Sequence, residues 1–107
     1  MKHTFKIIRE EEQEGCWVFE IEQEATSEEL SRRKHRLRLS WEDYDLWVRD
    51  GTVEPAAVAM AILKYLQSGT RARELPDRID SSYPRKLDPQ ADDLIAGLID
   101  PVMFRAR

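Results

Sequence analysis

One cysteine, two histidines and four glycines are all that 107 residues hold of the types from which most recognisable sites are built. The lone Cys16 excludes an internal disulfide, and with His3 and His35 it leaves no zinc-site spacing. Neither histidine has a carboxylate or nucleophile at a recognisable spacing, so neither is read as catalytic. Scattered glycines exclude a glycine-rich phosphate loop, and Ser81-Ser82 lacks the flanking glycines of a hydrolase nucleophile. The longest apolar stretch, 56–63, falls far short of a membrane span. The opening Met1-Lys2-His3-Thr4-Phe5 shows no apolar leader core. Positive charge is not in excess either. The net charge of −4 argues against sequence-independent binding of nucleic acid. These absences lead to the expectation of a small cytoplasmic protein that is not an enzyme, uses no cofactor or metal and does not enter a membrane.

What the chain does have is charge, 36% of its residues against a usual quarter, and that charge is patterned. Residues 1–30 carry nine glutamates against Lys2, Lys6 and Arg9, whereas the remainder carries 14 basic and 12 acidic residues. Glu20, Glu22 and Glu24 alternate with Trp17, Phe19 and Ile21. Arg32, Lys34, Arg36 and Arg38 alternate with His35, Leu37 and Leu39. Period two is the signature of a strand with one apolar and one charged face. Folding the two segments antiparallel about Glu28 sets Glu20 against Arg36, Glu22 against Lys34 and Glu24 against Arg32. The same register sets Trp17 against Leu39 and Phe19 against Leu37. A single register that satisfies both faces is strong evidence for a hairpin.

Residues 3–10 alternate more weakly. The run Glu11-Glu12-Gln13-Glu14-Gly15 reads as a turn, which predicts Phe5 opposite Ile21, Ile7 opposite Phe19 and Lys6 opposite Glu20. The link 25–31 has capping-box spacing at Thr26 and Glu29, and Leu30 is expected to tuck beneath it. Ser40 can cap a helix over 41–50, with Trp41, Tyr44, Trp47 and Val48 on one face and Gly51 at its end. A second helix over 54–68 starts near Pro55, ends before Gly69 and is apolar enough all round to be largely buried. Residues 70–86 are polar and broken by prolines, which predicts a weakly held loop. Asp88-Pro89 then opens a last helix over about 89–99 whose apolar face is Leu94, Ile95, Leu98 and Ile99.

The expected fold is therefore α+β. Strands over 3–10, 16–24 and 32–39 form an antiparallel meander, and two helices cover its apolar face. A C-terminal arm, 70–107, joins this 1–69 core in one domain. A short last helix needs its face covered, by its own subunit or by a second chain, and its own subunit is favoured. Three strands followed by a helix is similar in order to bacterial antitoxin domains with a partial ribonuclease-H-like sheet. The likeness is one of topology and carries over no residues.

The densest candidate site is Arg32, Arg33, Lys34, Arg36 and Arg38. Read functionally it contacts phosphate; read structurally it pairs with the glutamate ladder across the hairpin, which the register favours. Arg33 points the other way and the ladder leaves it unexplained. Arg71, Arg73, Arg78, Arg85 and Lys86 add to the basic option. Leu46, on the far side of its helix from the aromatic face, is a candidate partner contact together with Val102-Met103-Phe104. The acidic start of the 41–50 helix, Glu42, Asp43 and Asp45, lacks the spacing of a calcium loop, and Asp92-Asp93 reads simply as the acidic start of the last helix. The leading expectation is a protein-binding or regulatory module that binds another protein, or itself as a dimer. The alternative is an antitoxin-like nucleic-acid-binding protein.

Overall fold

Strand β2 (Cys16–Ala25) and strand β3 (Arg32–Ser40) pair antiparallel, with Trp17 against Leu39, Phe19 against Leu37, Glu20 against Arg36, Glu22 against Lys34 and Glu24 against Arg32. This is the register that the two alternating patterns require. The structure is a computed structural model that describes residues 3–25, 32–48, 53–68 and 75–99, with side chains at 5–23, 33–48, 53–67 and 75–99. The expected turn at Thr26–Glu29 with Leu30, the glycine caps at Gly51 and Gly69, Arg71, Arg73 and the 102–104 tail lie outside these residues, as do the side chains of His3 and Arg32.

Strand β1 (His3–Gln13) is longer than its alternation suggested and pairs differently from the expected register. Phe5 meets Gln23, Lys6 meets Glu22 and Ile7 meets Ile21. The acidic run is strand, not turn. The reversal occupies only Glu14-Gly15, because Gly15 adopts φ +81°, a left-handed conformation that glycine enters without strain. The register then shifts between Ile7 and Arg9, a bulge that leaves Ile8 half exposed. Beyond it Glu10 faces Phe19 and Glu12 faces Trp17, so these two acids fall on the apolar side of the sheet.

That placement has an electrostatic cost. Partial burial, then the neighbouring Glu54 and Glu12, raise the Glu10 carboxyl above its ordinary value of 4.5. A raised carboxyl binds its proton more tightly in the folded chain than in the unfolded one. The parent therefore gains stability as pH falls through the folded value, and at neutral pH Glu10 is a liability. Glu10→Gln should raise Tm at neutral pH, and the gain should shrink in mild acid, where the parent carboxyl is itself neutral. Thermal melts of both proteins at the two pH values check this. A variant that melts at or below the parent at neutral pH would contradict it.

Ser40 ends β3 and its hydroxyl accepts from the Asp43 amide at 3.0 Å, capping helix α1 (Trp41–Trp47). The expected aromatic face divides. Tyr44 and Trp47 are buried and the Trp17 ring packs 5.2 Å from Tyr44, but Trp41 is 44% exposed. Helix α2 (Pro55–Ser68) opens on proline and buries Ala57, Val58, Ala59, Ala61, Ile62, Leu63 and Leu66, as its all-round apolar character requires. These side chains join Phe19, Ile21, Leu37 and Leu39 in one core, with Phe5 and Ile7 packed at its margin.

The arm departs most from expectation. Arg78–Asp80 forms strand β4, parallel to β3, which makes the sheet four-stranded in the order β1-β2-β3-β4. Helix α3 (Tyr83–Leu87) and helix α4 (Ala91–Leu98) follow. Leu75, Ile79 and Pro84 are almost wholly buried, so this stretch is not a weakly held loop. Isolated apolar residues between polar ones anchor it. Asp88 closes α3 instead of opening α4, which starts three residues later. α4 packs on α2 of the same chain through Ala91 and Ile95, while Leu94 and Leu98 are 48% and 38% exposed. Half of the face expected to be covered is therefore open. No described helix is long and apolar enough to cross a membrane.

Candidate functional site

Two polar regions stand out. The first lies where β3, α1, β4, α3 and α4 meet. Asp43 is 8% exposed and Ser81 0%. The Ser81 hydroxyl donates to Asp43 Oδ2 at 2.6 Å and accepts from the Ser40 amide at 3.2 Å. The Arg85 guanidinium donates from Nη2 to Asp43 Oδ1 at 2.9 Å, and from Nε and Nη2 to the Asp92 carboxylate at 2.9–3.2 Å. The Trp47 indole adds a bond to Asp92 Oδ1 at 3.0 Å. The bonds from Arg85, with help from Trp47 and against some burial, hold the Asp92 carboxyl below its ordinary value of 3.8. The same two carboxylates push Arg85 above its own ordinary value.

A serine on a carboxylate resembles half of a nucleophilic site. Here Ser81 is sealed from solvent and its oxygen is already shared between Asp43 and Ser40, so no substrate atom can reach it. The region is a clamp that holds the arm to the body. It engages Arg85 with two carboxylates and gives Asp92 a role beyond its helix dipole.

His35 is a further buried polar group, 3% exposed. Its Nδ1 lies 2.7 Å from the Pro76 carbonyl and its Nε2 2.7 Å from the Gln23 side-chain amide. A carbonyl only accepts, so Nδ1 carries a proton, and the amide presents whichever end suits Nε2. The ring is a cross-link between β2, β3 and the arm. Among the described residues, no group of three or more His, Cys, Asp or Glu could hold a metal ion.

The second region is the outer face of the sheet, opposite the helices. Lys34, Arg36 and Arg38 project there from β3 and are exposed, as is Arg78 from β4. The expected ladder is only partly made. Arg36 Nη2 lies 3.9 Å from Glu20, but Lys34 and Glu22, although opposite, form no ion pair within 4 Å. Arg38 pairs with Asp80 of β4 at 3.1 Å, a partner outside the hairpin. Burial opposes the charge on Asp80, but the Ser82 hydroxyl and amide together with Arg38 outweigh it, and the carboxyl stays below its ordinary value.

Arg33 is not on this face. It lies on the helix side, donates to the Leu75 carbonyl at 2.9 Å and sits 3.5 Å from Asp77. It ties β3 to the start of the arm, a role that the ladder could not supply. Leu46 is 53% exposed on α1, within the helical layer. Two shallow hollows mark the outer face. One, of ≈ 260 Å³, is lined by Val18, Arg36, Arg38, Arg78, Ile79 and Asp80. The other, of ≈ 360 Å³, shares Arg36 and Arg78 and adds Ile8, Lys34 and Asp77 among others. Sequence reading found Lys34, Arg36 and Arg38 but missed the part β4 plays. The available signal was Arg78-Ile79-Asp80, a single apolar residue between charges of opposite sign.

Compared with known proteins, the chain matches no family model, no curated protein and no solved structure.

Proposed function

We propose that the protein is a non-catalytic protein-binding module of the cytosol that engages its partner through the outer face of its sheet. The observation that carries this reading is the asymmetry of the sheet. Its helix side is a filled core, whereas no described element covers its other side, where charged side chains share the lining of the hollows with Val18 and Ile8. One solvated face is common in antiparallel sheets, but hollows with apolar side chains in their lining are where a partner gains contact area. Edge pairing is the weaker route. β1 carries a bulge and a run of charges, and β4 has only three residues, both of which discourage an added strand. Nucleic acid is disfavoured because Glu20, Asp77 and Asp80 line the same hollows as the arginines.

A photo-crosslinking residue placed at Lys34, on the outer face, or at Lys64, exposed on α2, tests the reading in cells. The expected result is a discrete protein adduct from position 34 that excess unmodified protein suppresses, and none from position 64. Equal adducts from both positions, or none from position 34, would remove the outer face as the binding surface.

A further inference from the structure

The parallel pairing of β3 with β4 brings Arg36 beside Arg78 and Arg38 beside Asp80. The second pair is complementary and closes at 3.1 Å. The first is a pair of like charges, and like charges directly opposite in a sheet destabilise it. The contrast lies within one three-residue strand. An acid at position 78 would have set a complementary pair there, as Asp80 does beside Arg38. Among the described residues Arg36 has only Glu20 as an acidic partner, at 3.9 Å, and Arg78 has no acidic group within 4 Å. Both hollows of the outer face open on these two arginines.

We propose that Arg36 and Arg78 form a carboxylate clamp, and that the partner presents an acidic peptide segment to it. This rests on the protein-binding reading above and names the chemistry of the partner. A carboxylate between two guanidinium groups relieves their repulsion and accepts paired hydrogen bonds from planar forks. Val18 and Ile8, one in the lining of each hollow, receive the methylenes and apolar neighbours of the acidic residue. Isolated carboxylates suit the site better than a phosphate chain. Glu20, Asp77 and Asp80 flank the arginines and would repel a continuous run of negative charge.

The test is fluorescence anisotropy of a labelled peptide of alternating Glu and Val with the full-length protein, at low and at high salt. A Lys/Val peptide and a single-stranded RNA of equal length serve as comparisons. The expected result is saturable binding of the Glu peptide alone, weakened by salt, and weakened about tenfold by Arg78→Gln, as for the loss of one charge-assisted hydrogen bond. Arg78 is exposed and makes no ion pair among the described residues, so Arg78→Gln should melt at or above the parent temperature. Three results would overturn the clamp: no binding of the Glu peptide, tighter binding of RNA, or binding indifferent to Arg78→Gln. A variant that melts well below the parent would also overturn it, because the like-charge argument would be wrong. The crosslink from position 34 separates the two proposals. An adduct that persists unchanged in Arg78→Gln leaves the outer face as the binding surface and removes the clamp.

Discussion

Phe19→Ala is expected to lower the unfolding free energy by ~3–5 kcal/mol, the range for truncating a buried aromatic side chain. Phe19 is 0% exposed and lies in the middle strand but one of the sheet, opposite Leu37 on one neighbour and Glu10 on the other. Its ring belongs to the same core as Val58 and Ile62 of α2, so its removal opens a cavity at the contact between sheet and helix. A domain of this size has about 5–15 kcal/mol in total, so the loss takes a large share of it. Denaturant titration followed by circular dichroism measures the effect, and Phe19→Leu should recover a substantial part of it. A midpoint unchanged by Phe19→Ala would place the ring outside the core and break the register that puts it there.

That register was legible because two independent patterns demanded it. The apolar series and the charged series of β2 and β3 each fix the pairing, and a slip of one residue would turn both onto the wrong faces. β1 was legible as a strand but not in register. Only one weak apolar series, Phe5 and Ile7, was available, and its offset depended on where the chain turned. Assigning the turn to the acidic run displaced the pairing by two residues, since neither the Ile8 bulge nor a two-residue reversal at Gly15 shows in composition. The arm was illegible for a different reason. Periodicity needs length, and β4 has three residues and α3 five. Leu75, Ile79 and Pro84 each fill a place in the core singly, without a repeat to announce them.

The candidate site divides along the same line. Lys34, Arg36 and Arg38 were visible as a run within one strand. Arg78 gains its meaning only when β4 docks beside β3, some forty residues further along the chain, and the bond of Arg33 to Leu75 is hidden for the same reason. Contacts between residues so far apart in sequence leave no local pattern, and the clamp of Asp43, Ser81, Arg85 and Asp92 spans 38 to 45 residues in its bonds to the body.

That clamp sets the second large effect. Arg85→Leu should destabilise the protein by ~3 kcal/mol, the low end of the range for breaking a buried pair, because the Arg85 side chain is 37% exposed and water can reach the vacated space. The main loss falls on Asp43, whose side chain is only 12% exposed and would keep, among the described residues, just the Ser81 hydroxyl as a side-chain donor. A double-mutant cycle identifies this cause. Asp43→Asn should destabilise the parent, because it weakens the bond to Arg85, but in the Arg85→Leu background it should restore stability by removing an uncompensated buried carboxylate. The pH dependence supplies a separate check. Asp92 sits below its ordinary value of 3.8 through its bonds to Arg85, so the unfolded chain takes up its proton first as acid is added. Its contribution is therefore complete above the ordinary value and is lost as pH falls through the lower folded value. In Arg85→Leu that window should flatten, since the bonds that depress Asp92 are gone. If Asp43→Asn were equally harmful in both backgrounds and the acid limb of stability were unaltered, Arg85 would be packing through its methylenes alone. The arm would then be held by Leu75, Ile79 and Ile95 and not by charge.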